Sequence, residues 1–574
     1  MVVLKDGGSI RGAEDTPPRP LIANVSRSLL QGDTSAPHLA WLLGLPLLGG
    51  IWLLLSPPRL LSREMTVDLL FNLTGAWRLV QGHVPHVDYH DPVGVLSFLL
   101  TRLGFDIVGP HPQAFLVGET IFLAFIFAAA VMAAARRLPP LPAGIFVLYV
   151  ALLVLLPANI GDQPNAYTFA MSYNRWCWSA ITVLCLIVFL PPRPSRRAAW
   201  LDAVVAGLLL LAMFYLKITF AAAGLGALAL ALLASDHVRA RPLLWGGVLV
   251  LVLANAAAPY NHAYLADIWE AAHAGYVRGS LPDHIRIFLA SKAEYALYGG
   301  GVLLLLWLWQ RGRAPFQRVI AAAFILGMGM LVLTQNAQGA GVPVAMVIAF
   351  LVYEVLAADR PAMMPAAVAT PLLAVLVFPL LSIVSAATTL VGYNLVARHD
   401  AALLTVESTN LRGLAVPADV DLTTMVLNGG AVPYHVRDRV GESRASGDVS
   451  QSEYVQGLVD AAALFADRQR GAARILVMDQ VNALPFMLGY PPPRGGNLWL
   501  WPGAPARSAE NVFDDVDVVL IPKRPSFAAA TLKAVTQYAP YLADNFPVRE
   551  ETPRWTILSR HVGTAAVLPG RRPE

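Results

Sequence analysis

Apolar runs of membrane-crossing length dominate this sequence. A hydrocarbon core about 30 Å thick needs roughly 20 apolar helical residues. Runs of that kind fall near 39–57, 114–135, 140–157, 174–191, 198–215, 218–235, 242–258, 291–309, 317–334, 341–357 and 365–392. Backbone amides in lipid must be bonded within their own segment, so these runs are expected to be helices. The expected fold is therefore mainly α, a polytopic transmembrane helical bundle of about 11 spans. Composition agrees: 56% of residues are hydrophobic, only 14% are charged, and the mean hydropathy is +0.55. A water-soluble chain carries about 25% charged residues. Disorder, coiled coil and nucleic-acid binding are excluded as whole-chain readings, because a net charge of +4 over 574 residues is too dilute for a phosphate-binding surface.

Sidedness follows from the basic residues. The stretch 93–109 is apolar but short, and Arg102 and Asp106 interrupt it. If it lies at the interface, the cytoplasmic loops hold Arg136-Arg137, Arg193 to Arg197, Arg239 and Arg241, Arg311 to Arg318, and Arg360. The opposite loops are then 58–113, 158–173, 259–290 and 335–340, which are longer, aromatic and acidic. Residues 1–38 are polar, with Lys5, Arg11, Arg19 and Arg27, and are expected to form a cytoplasmic tail. Residues 39–392 form the membrane module, with 58–113 as its first outer loop. An odd number of crossings sends residues 393–574 to the outer face, the periplasm of a bacterial inner membrane.

Composition shifts after residue 392. The remainder holds about 37 of the 80 charged residues in under a third of the length. Arg474-Ile-Leu-Val-Met-Asp479, Val516-Asp-Val-Val-Leu-Ile521 and Arg554-Trp-Thr-Ile-Leu558 read as strands, and 453–468 and 526–543 as amphipathic helices. Their alternation argues for a C-terminal extracytoplasmic α/β domain. Cys177 and Cys185, eight residues apart in one apolar run, are about 12 Å apart along a helix and beyond disulfide reach.

Ionisable groups are expensive in lipid, so their depth is informative. No span carries one clearly at mid-depth; the unusual residues gather in and beside the outer loops, which suits an enzyme working at the outer surface. In the first loop, residues 66–80 place Val67, Leu70, Phe71 and Thr74 on one helical face. A helix lying in the interface is expected, with Trp77 and Arg78 at headgroup level. Asp68 falls in its first turn, where the helix dipole favours a carboxylate; a plain electrostatic role and a catalytic one are both open. The cluster His83, His86, Asp88, His90 and Asp91 fits metal ligation, substrate contact or a solvated loop, and matches no closed zinc spacing. Asp162 and Asn165 in the second loop, with Tyr173, Asn174 and Arg175 opening the next helix, return to the same face. Lys217, in a tight turn between spans, either snorkels or holds a lipid phosphate. Gln335 in another short outer turn offers an amide to sugar hydroxyls.

One span is followed by an outer loop with an early acid, then by Gly82-x-x-Pro85 and Asp88-Tyr89-x-Asp91-Pro92-x-Gly94, with a polar loop two spans later. This layout, over residues 39–235, resembles the GT-C-fold membrane glycosyltransferases, the class of protein O-mannosyltransferases and lipid A aminoarabinose transferases. The resemblance implies that Asp68 is a catalytic base and Asp162 a second acid, and that Lys217, in Lys-x-Thr, contacts the donor phosphate. Independently of the resemblance, the outer loops return to one face, so Asp88, Tyr89, His90, Asp91, Asn165, Tyr173, Asn174, Arg175 and Gln335 are expected to line the substrates, with Arg175 as an alternative to Lys217 for the phosphate. Many members carry an acidic pair where this chain has Asp68-Leu69, so a divalent metal stays open. The implied partners are a polyprenyl-phosphate-linked sugar donor, an extracytoplasmic acceptor (glycan, lipid or protein) and the bilayer, with no nucleic acid. The chemistry is consistent: a prenyl phosphate is a good leaving group, so transfer with inversion needs a carboxylate base and a cation for the departing phosphate. The alternatives are a lipid or polysaccharide transporter, which calls for mid-depth polar residues and repeats, and a non-catalytic scaffold indifferent to loss of Asp68, Asp162 and Lys217.

Overall fold

The computed structural model describes residues 33–158, 160, 167–193, 196–274, 291–334, 341–359, 403–417, 449–466, 473–501 and 503–560, and isolated positions between 285 and 392. Helix α1 (Ala36–Leu55) and strand β1 (Leu60–Leu61) lead into α2 (Thr66–Val80) and α3 (Leu96–Val108). Next come α4 (Gln113–Ala135), α5 (Pro140–Leu155), α6 (Ser172–Phe189), α7 (Arg196–Leu216) and α8 (Ile218–Ala234). They are followed by α9 (Pro242–Ala256), α10 (His262–Ala274), α11 (Lys292–Gln310), α12 (Phe316–Thr334) and α13 (Met346–Asp359). Among the described residues, four helices have the length and apolarity to cross a bilayer: Ala36–Leu55, Gln113–Ala135, Ala199–Leu216 and Phe316–Thr334. Pro242–Ala256 and Pro259–Ala274, bent by 59°, make a fifth if they are one broken span. The protein is a helical membrane protein. Most of the apolar run 365–392 lies outside the described residues.

Burial sorts the helices by depth in the bundle. Helix α6 is buried at every residue but Tyr173, its polar groups confined mostly to the first turn. Its Trp176 ring stacks on Phe122 at 5.1 Å and on Phe115 at 6.1 Å between centroids. Cys177 and Cys185 are both buried and free. Helix α1 is peripheral, with Trp41 71% and Trp52 64% exposed, a face suited to lipid. The 13 residues of α3 span about 20 Å, short of the bilayer core.

The arginines at the helix ends are paired. Arg137, fully buried, donates to Asp202 at 2.6 Å, and Arg136 donates to the same carboxylate. Arg318 binds Glu354 at 2.6 Å, tying α12 to α13. Asp202 on α7 thereby clamps the end of α4.

Helix α2 departs from expectation. It does not lie exposed in the interface; every residue but Val80 is buried. The cover comes from far along the chain, since Trp77 Nε1 donates to the Tyr490 carbonyl (2.8 Å) and Arg78 to the Pro493 carbonyl (2.7 Å). Amphipathicity marks a face to be buried but does not say whether lipid or protein buries it.

Two sheets follow the membrane helices. Strand β1 pairs in parallel with β3 (Leu414–Pro417), and β2 (Leu403–Thr405) pairs antiparallel on the other side. The second sheet contains β4 (Ile475–Val477), β5 (Val518–Pro522), β6 (Val548–Glu551) and β7 (Trp555–Ser559), in the order β4-β5-β7-β6. Its β4–β5 pair is parallel and the others antiparallel. Helices α14 (Gln451–Ala466), α15 (Leu484–Leu488), α16 (Ala509–Phe513) and α17 (Ala528–Asn545) accompany it. Strand β6, Val-Arg-Glu-Glu, is too polar to be read as a strand from sequence; its charges suit an open sheet edge.

Replacing Asp202 by Ala leaves Arg137 buried without its counter-charge. Thermal unfolding in detergent should show a loss of about 3–5 kcal/mol, the cost of breaking a buried pair. A change within error would mean that the carbonyls also bound to Arg137 suffice.

Candidate functional site

Two loops distant in sequence are stitched together ahead of α2 and α6. Glu64 forms a parallel bridge with Thr168: its amide donates to the Tyr167 carbonyl at 3.2 Å, and Thr168 Oγ1 donates to the Glu64 carbonyl at 3.0 Å. Each loop then turns into its helix through a left-handed methionine, Met65 (φ 50°) and Met171 (φ 48°). Such a conformation costs about 1–3 kcal/mol in a non-glycine residue and clusters at functional sites. Its consequence is local and specific: the Met171 amide donates to Asp68 Oδ2 at 2.9 Å. Asp68 is buried, and burial pushes its carboxyl up to about 7, with the Met171 hydrogen bond opposing.

Beyond Met171, Tyr173 is the meeting point. Asp68 and Asp91 both act electrostatically on its hydroxyl. The Lys217 ammonium sits 5.4 Å from its ring centroid and donates to Asn174 Oδ1 at 3.1 Å. Asn174 Nδ2 is buried with no hydrogen-bond partner among the described residues. Asp91 is held by the Val93 amide at 2.6 Å; burial, with Asp267 nearby, pushes it up to about 8. Gly94 then meets the turn that carries Lys217: its amide donates to the Leu216 carbonyl at 3.0 Å, and a Cβ there would lie 2.2 Å from the Tyr215 carbonyl oxygen. Only glycine permits that approach. Asp68, Asp91, Tyr173, Asn174 and Lys217 thus come together from three separate stretches of chain.

Other sequence-selected residues point elsewhere. Arg175 donates to the Val154 and Leu156 carbonyls and to Ser172 Oγ, closing the end of α5, with Glu119 as its counter-charge. Asp88 accepts from the Val84 amide (2.7 Å) and faces Arg494 at 3.6 Å. Tyr89 is buried beneath the Arg78 guanidinium, 5.2 Å from its ring centroid. His90 joins the first loop to residues 496–498, its amide donating to the Gly496 carbonyl and its carbonyl accepting from Leu498, both at 2.9 Å. Asp162, Asn165 and Gln335 lie outside the described residues.

Two of the first-loop imidazoles, His86 and His90, converge on a residue that sequence reasoning missed. Asp267, on α10 and 4% exposed, faces His86 Nδ1 at 3.0 Å, His90 Nδ1 at 2.8 Å and Arg507 at 3.1 Å, and it accepts from the Asp91 amide at 3.2 Å. The void beside it, lined in part by Asp91, Asp267 and Arg507, is about 10 Å³ and holds roughly one water. His83 stands apart; burial and the neighbouring Arg78 push it down to about 4. Among the described residues no group of three or more His, Cys, Asp or Glu is arranged to hold a metal ion. The missed signal is an acid at mid-helix in a segment otherwise suited to lipid, Ala266-Asp267-Ile268-Trp269.

No family model and no curated protein matches this chain. Solved structures similar to it include crystal structures of ArnT from Cupriavidus metallidurans. For the apo state the identity is 13% and the TM-score 0.45, with 92% of this chain and 99% of that one covered. For the state bound to undecaprenyl phosphate the identity is 13% and the TM-score 0.46, with coverage of 93% and 100%. A likeness of this size assigns neither a family nor a reaction to the present chain.

Asp267→Asn weakens every bond of the hub at once. Hydrogen exchange should rise together in 83–94 and 494–507, with about 3–5 kcal/mol lost from the local opening energy, as for other broken buried pairs. Faster exchange in only one of the two segments would show that Asp267 does not join them.

Proposed function

We propose that this protein is a membrane glycosyltransferase that moves a sugar from a polyprenyl-phosphate donor to an extracytoplasmic acceptor, with inversion at the anomeric carbon. The observation that carries this reading is the convergence of a buried carboxylate, Asp68, and a cation, Lys217, on one residue, Tyr173. Inverting transfer from a prenyl phosphate needs that pair and little else.

In this reading the acceptor O–H gives its proton to Asp68 as its oxygen bonds to the anomeric carbon. The bond from that carbon to the phosphate oxygen breaks, and its electron pair leaves with the phosphate. Lys217, steadied by Asn174, neutralises the departing charge. Asp68 is suited to the role because a base titrating near 7 is ionised at working pH yet still takes up a proton readily. Asp91, pushed up to about 8, is largely protonated at neutral pH and serves as a hydrogen-bond donor to a sugar hydroxyl. Asp162 belongs to the same proposal as a second acid, Asn165 and Gln335 as substrate contacts, and Tyr173 as the residue that base and cation share. Arg175, whose guanidinium is taken up by carbonyls of α5, has no part in it.

The same reading includes eleven crossings of a bacterial inner membrane. Residues 1–38 are then cytoplasmic, 39–392 form the catalytic module, and 393–574 form a periplasmic α/β domain covering the first loop. Its support is the run of arginine-rich turns and the amides and carbonyls shared between residues 88–90 and 495–498.

Transfer of radiolabelled sugar from prenyl-linked donors tests the assignment. Asp68→Asn should lower turnover by about 10²–10⁴-fold, the usual worth of a positioned base. Lys217→Gln should cost about 10²–10³-fold, as for other groups that stabilise developing charge. Because the base must be ionised, parental turnover should fall as pH drops below about 7 and level off above it. Turnover in Asp68→Asn equal to the parent's would end the proposal.

A further inference from the structure

A second site lies where the first loop leaves α1. The parallel register of β1 on β3, Leu60 beside Leu414, sets Arg59 next to Gly413 and brings Arg412 alongside. Gly413 makes this possible: its φ is +85°, its carbonyl accepts from the Leu60 amide at 2.7 Å, and a Cβ on it would lie 2.9 Å from the Pro58 carbonyl oxygen. The result is a cleft of about 450 Å³ lined by Arg59, His111, Thr405, Glu407 and Arg412 among others. Its walls are fixed. His111 is held on both ring nitrogens, by the Val108 carbonyl at 2.6 Å and Gln113 Oε1 at 2.7 Å, and the Gln113 amide donates to the Pro58 carbonyl at 3.3 Å.

Two arginines remain. Arg59 and Arg412 are exposed, and neither guanidinium makes a hydrogen bond or ion pair with any described residue. Both line the same cleft, where an anion between them offsets the repulsion of two like charges. Paired guanidinium forks match the tetrahedral oxygens of a phosphate. The cleft adjoins two helices long and apolar enough to cross a bilayer, with Pro58 just after α1 and Gln113 at the start of α4, a place suited to a lipid headgroup.

We propose that this cleft binds the phosphate group of a phosphomonoester or phosphodiester between Arg59 and Arg412. The site is separate from Asp68 and Lys217 and does not depend on the transfer reaction. Glu407 opposes the ligand and limits its affinity. A lipid headgroup and a soluble phosphate share the required chemistry, and binding distinguishes them.

The full-length protein in detergent is titrated with short-chain phosphatidylglycerol and, separately, with inorganic phosphate, with bound ligand read by native mass spectrometry. The variant Arg59→Gln/Arg412→Gln should bind about tenfold more weakly or worse, the loss expected for charge-assisted hydrogen bonds. Glu407→Gln should bind more tightly than the parent. Loss confined to the lipid probe supports a headgroup as the source, and the same loss for inorganic phosphate supports a soluble one. Unchanged affinity of the double variant for both probes, or no binding of either probe to the parent, overturns the proposal. An unchanged melting temperature of the double variant separates lost binding from lost fold.

Discussion

The amide of Met171 bound to the carboxylate of Asp68 is the contact on which the candidate site depends. It joins two helix N-termini 103 residues apart through a short parallel bridge and two left-handed turns. A carboxylate drawn into such a place loses water, and its proton affinity rises accordingly. Without the Glu64–Thr168 bridge, Asp68 would be an ordinary acid in the first turn of a helix. With it, Asp68 becomes a buried carboxylate acting on Tyr173, the residue that Lys217 also meets.

The surroundings of the first loop are organised around keeping it in place. Residues 84–94 are held on one side by carbonyls and amides of 495–498 and on another by Asp267. Asp267 collects donors from the first loop and from Arg507, so one buried anion ties α10, the loop and the C-terminal region together. Desolvating a carboxylate is expensive, and only several simultaneous hydrogen bonds offset the cost. The loop that supplies Asp91 and Gly94 to the site is therefore fixed by groups that take no part in the proposed chemistry.

Local signals were legible where a single segment decides the outcome. Apolar runs are long because the bilayer is thick, and the runs around 475–477 and 518–522 are apolar because a sheet is buried there. Helix 66–80 was visible from its periodicity, yet its surroundings were not. Trp77 and Arg78 carry the residue types of a headgroup anchor and are instead covered by Tyr490 and Pro493. In the same way His86 and His90 read as ligands, substrate contacts or solvated groups, whereas their partner, Asp267, is 177 residues or more away.

From the sequence by itself came the helical membrane character, the approximate ends of the apolar segments, and the selection of Asp68, Asp91, Tyr173, Asn174 and Lys217 as residues of interest. Hydrophobic length and residue type are properties of short stretches, so they survive without knowledge of the fold. Tertiary structure alone decided which of those residues share an environment, that Arg175 closes α5 while Lys217 stays beside Tyr173, and that Asp267 anchors the first loop. Proton affinity, ion pairing and burial are set by neighbours, and here the neighbours lie from 19 residues away, for Arg175 and Leu156, to 177, for His90 and Asp267.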